Sequence, residues 1–237
     1  MLDIRKVRAI SLDLDDTLWP VWPTIERAEK ALLGWLGEHA PKTAALYCSP
    51  AALREIRDSM KAQRPDLLHD LSALRRESIR LALTRAGDAP ELAEAAFEVF
   101  FALRQQVDFY DDALAALAYL KRRYPLVALS NGNADLQQIG IAQHFRAALS
   151  AREFGVGKPD PRFFHAAASA AQVLPWEVLH IGDDATLDAR GALDAGLQAV
   201  WINRAGQAWP HDGEPPLTLA SLSALCALFA EAGSAPA

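Results

Sequence analysis

Two groups of acidic residues have the clearest chemical potential, and each follows a short apolar segment. Asp13 and Asp15 come after residues 7–12, and Asp183 comes after residues 178–181 and a glycine. An Asp-x-Asp sequence alone is common in turns and helix caps. Two acidic groups that met in the fold would raise each other's pKa, because like charges at close range disfavour ionisation. A hard divalent cation with oxygen ligands relieves that repulsion, so the two groups together indicate a Mg²⁺ site.

A hydroxyl and a lysine occur in comparable positions. Ser130 ends the apolar segment 126–129, and Lys158 precedes a proline shortly before a predicted helix. Taken singly, the serine is uninformative and the lysine fits a solvated loop. In open α/β sheets, however, ligands bind beyond the carboxyl ends of the strands. We therefore expect these side chains to converge with the acidic groups, although more than a hundred residues separate Asp13 from Ser130.

The pattern of the rest of the chain predicts the elements that position these side chains. From about residue 111 onward, short apolar segments alternate with helical periods, which is typical of a parallel, doubly wound α/β sheet. After the first strand at residues 7–12, further strands are predicted at 126–129, 147–151, 178–181 and 198–202. Helices are predicted at 113–123, 161–173, 187–195 and 219–232.

Residues 18–110 show helical periodicity alone, interrupted by prolines and a glycine. This pattern predicts a bundle of about four helices inserted after the first strand. The expected domains are a catalytic core formed by residues 1–17 and 111–237, and a helical cap formed by residues 18–110.

The order of these candidate site residues along the chain resembles the motif series of the haloacid dehalogenase (HAD) superfamily. The matching residues, in chain order, are Asp13, Asp15, Thr17, Ser130, Lys158, Gly182, Asp183 and Asp188. The inserted helices are similar to the small C1 cap of one branch, so the resemblance covers essentially the whole chain. It implies a Rossmann-like core with an all-helical C1 cap, and Mg²⁺-dependent phosphate-monoester hydrolysis through an aspartyl-phosphate.

The resemblance also implies roles for the catalytic side chains. Asp13 is expected to be the nucleophile that forms the covalent intermediate. Asp15 is expected to protonate the leaving oxygen and then to deprotonate the attacking water. Lys158 is expected to neutralise charge on Asp13 and on the transferring phosphoryl group.

Further residues are expected to bind the metal and the phosphate. Mg²⁺ ligands implied by the resemblance are the Asp13 carboxylate, the Asp15 backbone carbonyl and the Asp183 carboxylate. Asp188 is expected to orient the metal ligands or Lys158. The phosphate oxygens are expected to accept hydrogen bonds from Ser130 and from the Asn131 backbone amide, and Thr17 is expected to bond the loop that fixes Asp15.

Selectivity is expected to come from the cap and its hinge. Trp19 and Trp22 flank the entry into the cap, where an aromatic ring stacks well on a planar heterocycle, and Arg76 lies on a cap helix. The alternative is that the tryptophans pack the hinge and the arginine is solvated. Several segments resemble bacterial flavin-mononucleotide phosphatases, which also act on a phosphorylated ribitylamino-uracil of riboflavin metabolism. The expected substrate is therefore a small phosphorylated metabolite, with flavin mononucleotide or a ribityl phosphate as the leading choice.

Two other functions remain open from the residues. A 2-haloacid dehalogenase of the same fold needs the nucleophilic aspartate but neither a leaving-group acid nor Mg²⁺, so Asp15 and Asp183 argue against it. A non-enzymatic module that keeps the fold for protein binding is disfavoured by the intact motif series.

Bulk properties restrict the partners and the location. The net charge of −6 without a basic stripe argues against nucleic acid. The N-terminus has no apolar leader and the chain has no long apolar run, so we expect a cytoplasmic protein without a membrane partner. Cys48 and Cys226 lie far apart, in keeping with a reducing compartment. The oligomeric state has no signature in the sequence.

Overall fold

A computed structural model describes residues 2–234, which fall into two compact units. The core unit contains the chain up to Pro20, then Phe109–Gly132, and then the chain from Leu136 onward. The cap unit contains Val21–Asp108 together with the short segment Asn133–Asp135. Residues 1 and 235–237, which the predicted core domain included, lie outside the described residues.

The core unit contains a sheet of six strands in which every neighbouring pair is parallel. The strands are β1 (Ala9–Leu12), β2 (Leu126–Ser130), β3 (Ala147–Ser150), β4 (Val178–Gly182), β5 (Gln198–Ile202) and β6 (Leu217–Leu219). Their order is β3-β2-β1-β4-β5-β6, so the predicted doubly wound parallel sheet is confirmed. The sequence interpretation missed β6, because a three-residue Leu-Thr-Leu edge strand is too short to show a period.

The cap unit is helical. Its helices are α1 (Val21–His39), α2 (Pro41–Leu46), α3 (Pro50–Gln63), α4 (Leu71–Ala86) and α5 (Ala93–Arg104). Ser49 caps α3 by accepting a hydrogen bond from the Ala52 amide, and Pro50 suits the first helical turn. Leu32 and Leu36 of α1 share a buried apolar cluster with Phe97 of α5. Burial of this apolar face is the main stabilisation of the bundle.

Most helices of the core unit lie between its strands along the chain. They are α6 (Ala113–Lys121), α7 (Leu136–Ile139), α8 (Ala151–Phe154), α9 (Pro161–Ala171), α10 (Gly191–Asp194) and α11 (Leu222–Ser234). Phe163 and Phe164 of α9 lie in an apolar cluster with Ala9 and Val127 of the sheet. The helix predicted at 187–195 is instead a π-helix, Ala185–Arg190, followed by the short α10. Among the described residues, no helix has the length and apolar character needed to cross a bilayer.

The strand order explains why the predicted site residues meet. β1 lies between β2 and β4, and each of these three strands ends at one of the polar groups. The pairing of β1 with β4 continues one residue further, because the Asp13 amide donates to the Ile181 carbonyl at 2.9 Å. The carboxyl ends of β2, β1 and β4 therefore form one edge, at the point where the order of the sheet reverses.

Candidate active site

Lys158 lies between two carboxylates that come from different parts of the chain. Its Nζ is 2.5 Å from Asp13 Oδ1 and 2.6 Å from Asp188 Oδ1. The Lys158 side chain is only 2% exposed, so these charge-assisted hydrogen bonds are shielded from solvent. The lysine that the sequence left open as a solvated loop residue is thus buried at the carboxyl end of β1.

The loop that carries Lys158 is fixed by Asn131. The Asn131 side-chain amide donates to the Lys158 carbonyl at 2.8 Å, and the Lys158 amide donates to Asn131 Oδ1 at 2.7 Å. This pair joins the loop before α9 to the end of β2. The chain can approach this closely only at a glycine, because a Cβ on Gly157 would stand 2.4 Å from Asn131 Oδ1. The sequence interpretation gave Asn131 a role only through its backbone.

Asp188 is held by a buried hydrogen-bond chain through His180. Asp188 Oδ1 is 3.0 Å from His180 Nε2, and His180 Nδ1 is 2.8 Å from the Ser11 hydroxyl. Because the Asp188 carboxylate only accepts, Nε2 carries the proton and Nδ1 accepts from Ser11. Asp188 Oδ2 accepts from the Asp184 amide at 3.0 Å. His180 and Ser11 thus position an acid of the site.

Asp183 follows β4 and is linked to Asp13 by a hydroxyl. Thr17 Oγ1 lies 3.0 Å from Asp183 Oδ1 and 3.3 Å from Asp13 Oδ2. The Thr17 hydroxyl therefore contacts these two carboxylates, whereas the resemblance implied a bond to the loop of Asp15. The Asp183 carbonyl accepts from the Trp201 indole at 2.7 Å, which fixes the backbone at the end of β4.

Asp15 is bonded to the side chain of Trp19. The indole Nε1 donates to Asp15 Oδ1 at 2.8 Å, and Trp19 itself is fully buried against Phe109. The residue between the two motif acids, Asp16, has a left-handed backbone with φ of 59°. Trp19 was predicted as a substrate-contacting residue, with hinge packing as the alternative. The structure gives it a packed position and a hydrogen bond to Asp15.

Ser130 ends β2 and is 4% exposed. Its Oγ accepts a hydrogen bond from the Gly132 amide at 2.9 Å, which fixes the tight turn after the strand. The hydroxyl proton remains available to a ligand, because the oxygen acts here as the acceptor.

Burial and charge together determine the protonation of the site. Burial, reinforced by the other two carboxylates and only partly offset by Lys158, raises the pKa of Asp13 well above its usual range. Burial and the neighbouring Asp188 raise the pKa of Asp183 to about 7. For Asp188, burial is outweighed by Lys158 and His180, which hold its pKa well below the usual range. Burial lowers the pKa of His180, which keeps its imidazole neutral at pH 7.

The donor set fits a hard divalent cation. Asp13, Asp183 and Asp188 each offer a carboxylate oxygen, and these oxygens lie within 4.8 Å of one another. Three carboxylates and the single Lys158 ammonium leave two negative charges uncompensated when all are ionised. Oxygen ligands with this excess charge are the chemistry that Mg²⁺ prefers. The sequence named the Asp13 and Asp183 carboxylates and the Asp15 backbone carbonyl as ligands. The two carboxylates belong to this cluster, which also contains Asp188.

Trp22 and Arg76, the cap residues predicted to select the substrate, differ in how strongly other residues engage their side chains. Trp22 is half exposed, and the Arg54 guanidinium lies 4.7 Å from its ring centroid. Arg76 forms an ion pair with Glu94 at 2.9 Å and covers the Phe97 ring at 3.7 Å. The Arg76 guanidinium therefore links α4 to α5.

Comparison with known proteins decides the family. The family model described as haloacid dehalogenase-like hydrolase matches residues 7–196. The chain belongs to this family. The family assignment drawn from the motif residues is thereby confirmed.

Several relatives of this hydrolase have specific descriptions. The 5-amino-6-(5-phospho-D-ribitylamino)uracil phosphatase YigB of Escherichia coli is 32% identical, over 95% of this chain and 98% of that protein. A phosphoserine phosphatase of Thermus thermophilus is 40% identical over 62% of each chain. A crystal structure described as a 2-haloacid dehalogenase, from Pseudomonas syringae pv. Tomato, has a TM-score of 0.86 and 38% identity, and covers 95% of this chain and 99% of that one. The curated relatives support a phosphatase within the family.

Proposed function

We propose that this HAD-family hydrolase is a Mg²⁺-dependent phosphatase that cleaves phosphate monoesters through an aspartyl-phosphate. The observation that carries the proposal is the buried Lys158 ammonium, 2.5 Å from Asp13 Oδ1, beside a cluster of three carboxylates. The lysine keeps the Asp13 carboxylate oriented and partly neutralised, so that a phosphate dianion can approach it. Ser130, at the end of the adjacent strand, supplies a hydroxyl for the phosphate oxygens.

The chemistry proceeds in two displacements at phosphorus. In the first, an Asp13 carboxylate oxygen attacks phosphorus, the bond to the alcohol oxygen breaks, and that oxygen takes a proton from Asp15. In the second, Asp15 takes a proton from water, the water oxygen attacks phosphorus, and the bond to Asp13 breaks. The indole of Trp19 donates a hydrogen bond to Asp15 Oδ1 and so orients its carboxyl group.

Mg²⁺ is proposed to be held by the carboxylates of Asp13 and Asp183 and by the Asp15 backbone carbonyl, with Asp188 close by. When bound, the ion neutralises charge on the carboxylates and on the phosphoryl oxygens. Lys158 and His180 already occupy Asp188 Oδ1, and the Asp184 amide occupies Oδ2. Asp188 is therefore better suited to orient Lys158 than to bind the metal directly.

For the substrate, we propose a ribityl phosphate that carries a flavin or uracil ring. The relative YigB of Escherichia coli, which aligns with this chain over 98% of its own length, is described as a phosphatase of 5-amino-6-(5-phospho-D-ribitylamino)uracil. The half-exposed Trp22, near the start of α1, offers an aromatic surface for a planar ring.

A second candidate is 2-haloacid dehalogenation, because the solved structure with 38% identity is described as such an enzyme. That reaction needs a nucleophilic carboxylate but no proton donor for a halide and no metal. Asp15, with its fixed orientation, and the Asp183 carboxylate beside Asp13 then have no use. The site therefore favours the phosphatase.

One set of assays separates the candidates. We expect release of p-nitrophenol from p-nitrophenyl phosphate with Mg²⁺, loss of turnover in EDTA and its recovery when Mg²⁺ is added back. Asp13→Asn should reduce the rate to background while its Tm remains near that of the unchanged protein. Halide release from 2-chloropropionate that persists in EDTA, without phosphatase activity, would establish the dehalogenase instead.

A further inference from the structure

The cap unit contains a buried carboxylate surrounded by three guanidinium groups. Glu29 of α1 is 1% exposed. Its Oε2 is 3.2 Å from Arg54 Nε, and its Oε1 is 3.7 Å from Arg57 Nη1 and 3.5 Å from Arg75 Nη1. Arg54 and Arg57 belong to α3 and Arg75 belongs to α4, so three helices contribute to the cluster. None of these groups has a part in the proposed phosphatase chemistry.

The positive charge in this cluster exceeds what Glu29 can neutralise. Three guanidinium groups against one carboxylate leave two positive charges. Asp58 also contacts Arg57, at 3.4 Å, but its side chain is 56% exposed and it is shared with Lys61. Arg57 Nε is buried without a hydrogen-bond acceptor among the described residues. The cluster therefore has unused donors as well as unused charge.

The excess positive charge affects the pKa of Arg75. Burial and the neighbouring Arg57 lower the pKa of Arg75 to about 10, although Glu29 acts in the opposite direction. Buried charges are tolerated when they are paired and hydrogen-bonded, and one guanidinium suffices to pair one carboxylate. A structural ion pair thus explains one arginine of the cluster and leaves two without an equivalent partner.

We propose that Arg54, Arg57 and Arg75 form a binding site for an oxyanion group, a carboxylate or a phosphate. Planar guanidinium groups match the geometry of these anions through paired N–H donors. The site is reachable from solvent, because the side chains of Arg54 and Arg57 are 28% and 22% exposed. The half-exposed Trp22 ring beneath Arg54 adds an apolar surface at its border. The anion is a free ligand, because the proposed ribityl phosphate has no anionic group besides the phosphate that is cleaved.

The first experiment measures Tm during titration with sulfate, with ionic strength held constant by sodium chloride. Arg57→Gln is compared with Arg85→Gln, a matched control because Arg85 is an exposed residue near the end of α4. We expect Arg57→Gln to bind sulfate more weakly and to raise the half-saturating sulfate concentration about tenfold or more, as the loss of a charge-assisted hydrogen bond implies. Arg85→Gln should behave as the unchanged protein. Any sulfate bound in the core unit contributes equally to all three proteins.

Identical sulfate responses of Arg57→Gln and Arg85→Gln would overturn the proposal. If Arg57→Gln does not fold, Arg54→Gln replaces it, since Arg54 is the most exposed of the three arginines.

A substitution of Glu29 is expected to strengthen sulfate binding, which is the opposite of the effect expected for Arg57→Gln. Glu29→Gln removes the internal competitor and leaves the three guanidinium groups to the added anion. We expect sulfate to raise the Tm of Glu29→Gln by more than it raises that of the unchanged protein. A purely structural ion pair predicts instead that Glu29→Gln is destabilised and that sulfate restores nothing, which would reject the site.

Discussion

At the scale of single residues, the site depends on how a few buried charges compensate one another. Lys158 contacts Asp13 and Asp188, and Asp188 is in turn bonded to His180 and, through it, to Ser11. Each of these polar groups is nearly excluded from water, so each needs the next as a partner. The position of the Asp13 carboxylate is therefore set by a chain of contacts that extends to the middle of the sheet.

The first prediction concerns the charge of Lys158. Lys158→Ala should lower kcat for p-nitrophenyl phosphate by on the order of a hundredfold or more, because the lost charge acts in a shielded site. Its Tm should also fall, since the three carboxylates lose their cation. Lys30→Ala, in which the removed side chain is 68% exposed, is the matched control and should leave both quantities unchanged. A loss in kcat below about threefold would mean that Lys158 acts only in packing.

The second prediction concerns how Asp183 makes the stability of the folded protein depend on pH when EDTA removes bound metal. A carboxyl with a pKa raised to about 7 in the folded state resists ionisation there, but ionises near pH 4 when unfolded. The protein should therefore lose stability as the pH rises from about 4 through 7, and the full penalty should be present above pH 7. Asp183→Asn removes the penalty, so at pH 8 its Tm should exceed that of the unchanged protein by at least about 2 °C.

That advantage of Asp183→Asn should shrink as the pH falls from 8 to 5. Added Mg²⁺ should stabilise the unchanged protein at pH 8 and have little effect on Asp183→Asn. A variant that is less stable than the unchanged protein at pH 8 in EDTA would contradict the assigned electrostatics.

At the scale of elements, the strand ends and the turns after them bring the side chains together. β2, β1 and β4 are neighbours, so Ser130, Asp13 and Asp183 reach one edge of the sheet without any long loop. The π-helix after β4 carries Asp188, and such irregular turns are frequent at functional sites. Close packing of this turn on β4 requires a residue without a side chain at Gly182.

The third prediction tests that packing. A Cβ on Gly182 would stand 2.2 Å from the Asp188 Cγ, so Gly182→Ala must displace Asp188 and, with it, Lys158. We expect kcat to fall about tenfold or more, because small misplacements of catalytic groups are costly. Gly34→Ala is the control, since nothing lies within 4 Å of a Cβ there and the residue is inside α1. It should keep full activity and raise Tm by about 2 °C, as expected for about 1 kcal/mol of helix propensity. Normal kcat in Gly182→Ala would show that the position of Asp188 is not limiting.

At the scale of the whole molecule, we expect the core unit to carry out the chemical step and the cap unit to select the substrate. The predicted catalytic residues lie in the core unit, whereas Trp22 and the arginine cluster around Glu29 lie in the cap unit. Substitutions in the cap are therefore expected to change which phosphate esters are used without changing the chemical step.

The fourth prediction follows from that division and from the proposed substrate. In a panel of metabolite phosphates, kcat/KM for flavin mononucleotide and ribitylamino-uracil phosphate should exceed that for phosphoglycolate and glycerol phosphate. Trp22→Ala should reduce this preference about tenfold, as loss of an aromatic stacking partner implies. It should affect p-nitrophenyl phosphate much less. A panel in which flavin mononucleotide ranks no higher than glycerol phosphate would reject the substrate and leave the phosphatase proposal standing.

The sequence by itself determined the family, the parallel sheet and the helical nature of the inserted segment. These properties follow from local patterns, since apolar segments that end in polar residues mark strand ends, and a period near 3.6 marks helices. The four motif groups were recognisable because each is short and contiguous. Because ligands bind beyond the carboxyl ends of the strands in such a sheet, the sequence also predicted that Asp13, Ser130 and Asp183 meet.

Only the tertiary structure decided how the buried polar groups are paired. The indole of Trp19 bonds Asp15, His180 bonds Asp188, and Arg76 is engaged by Glu94. The His180 bond depends on how the π-helix packs beside β4, and the Arg76 pair depends on how α4 meets α5. A buried donor must find an acceptor wherever the packed chain provides one, and that partner has no fixed distance along the sequence. The same reason applies to Glu29 and its three arginines, which come from three helices and carry no recognisable spacing.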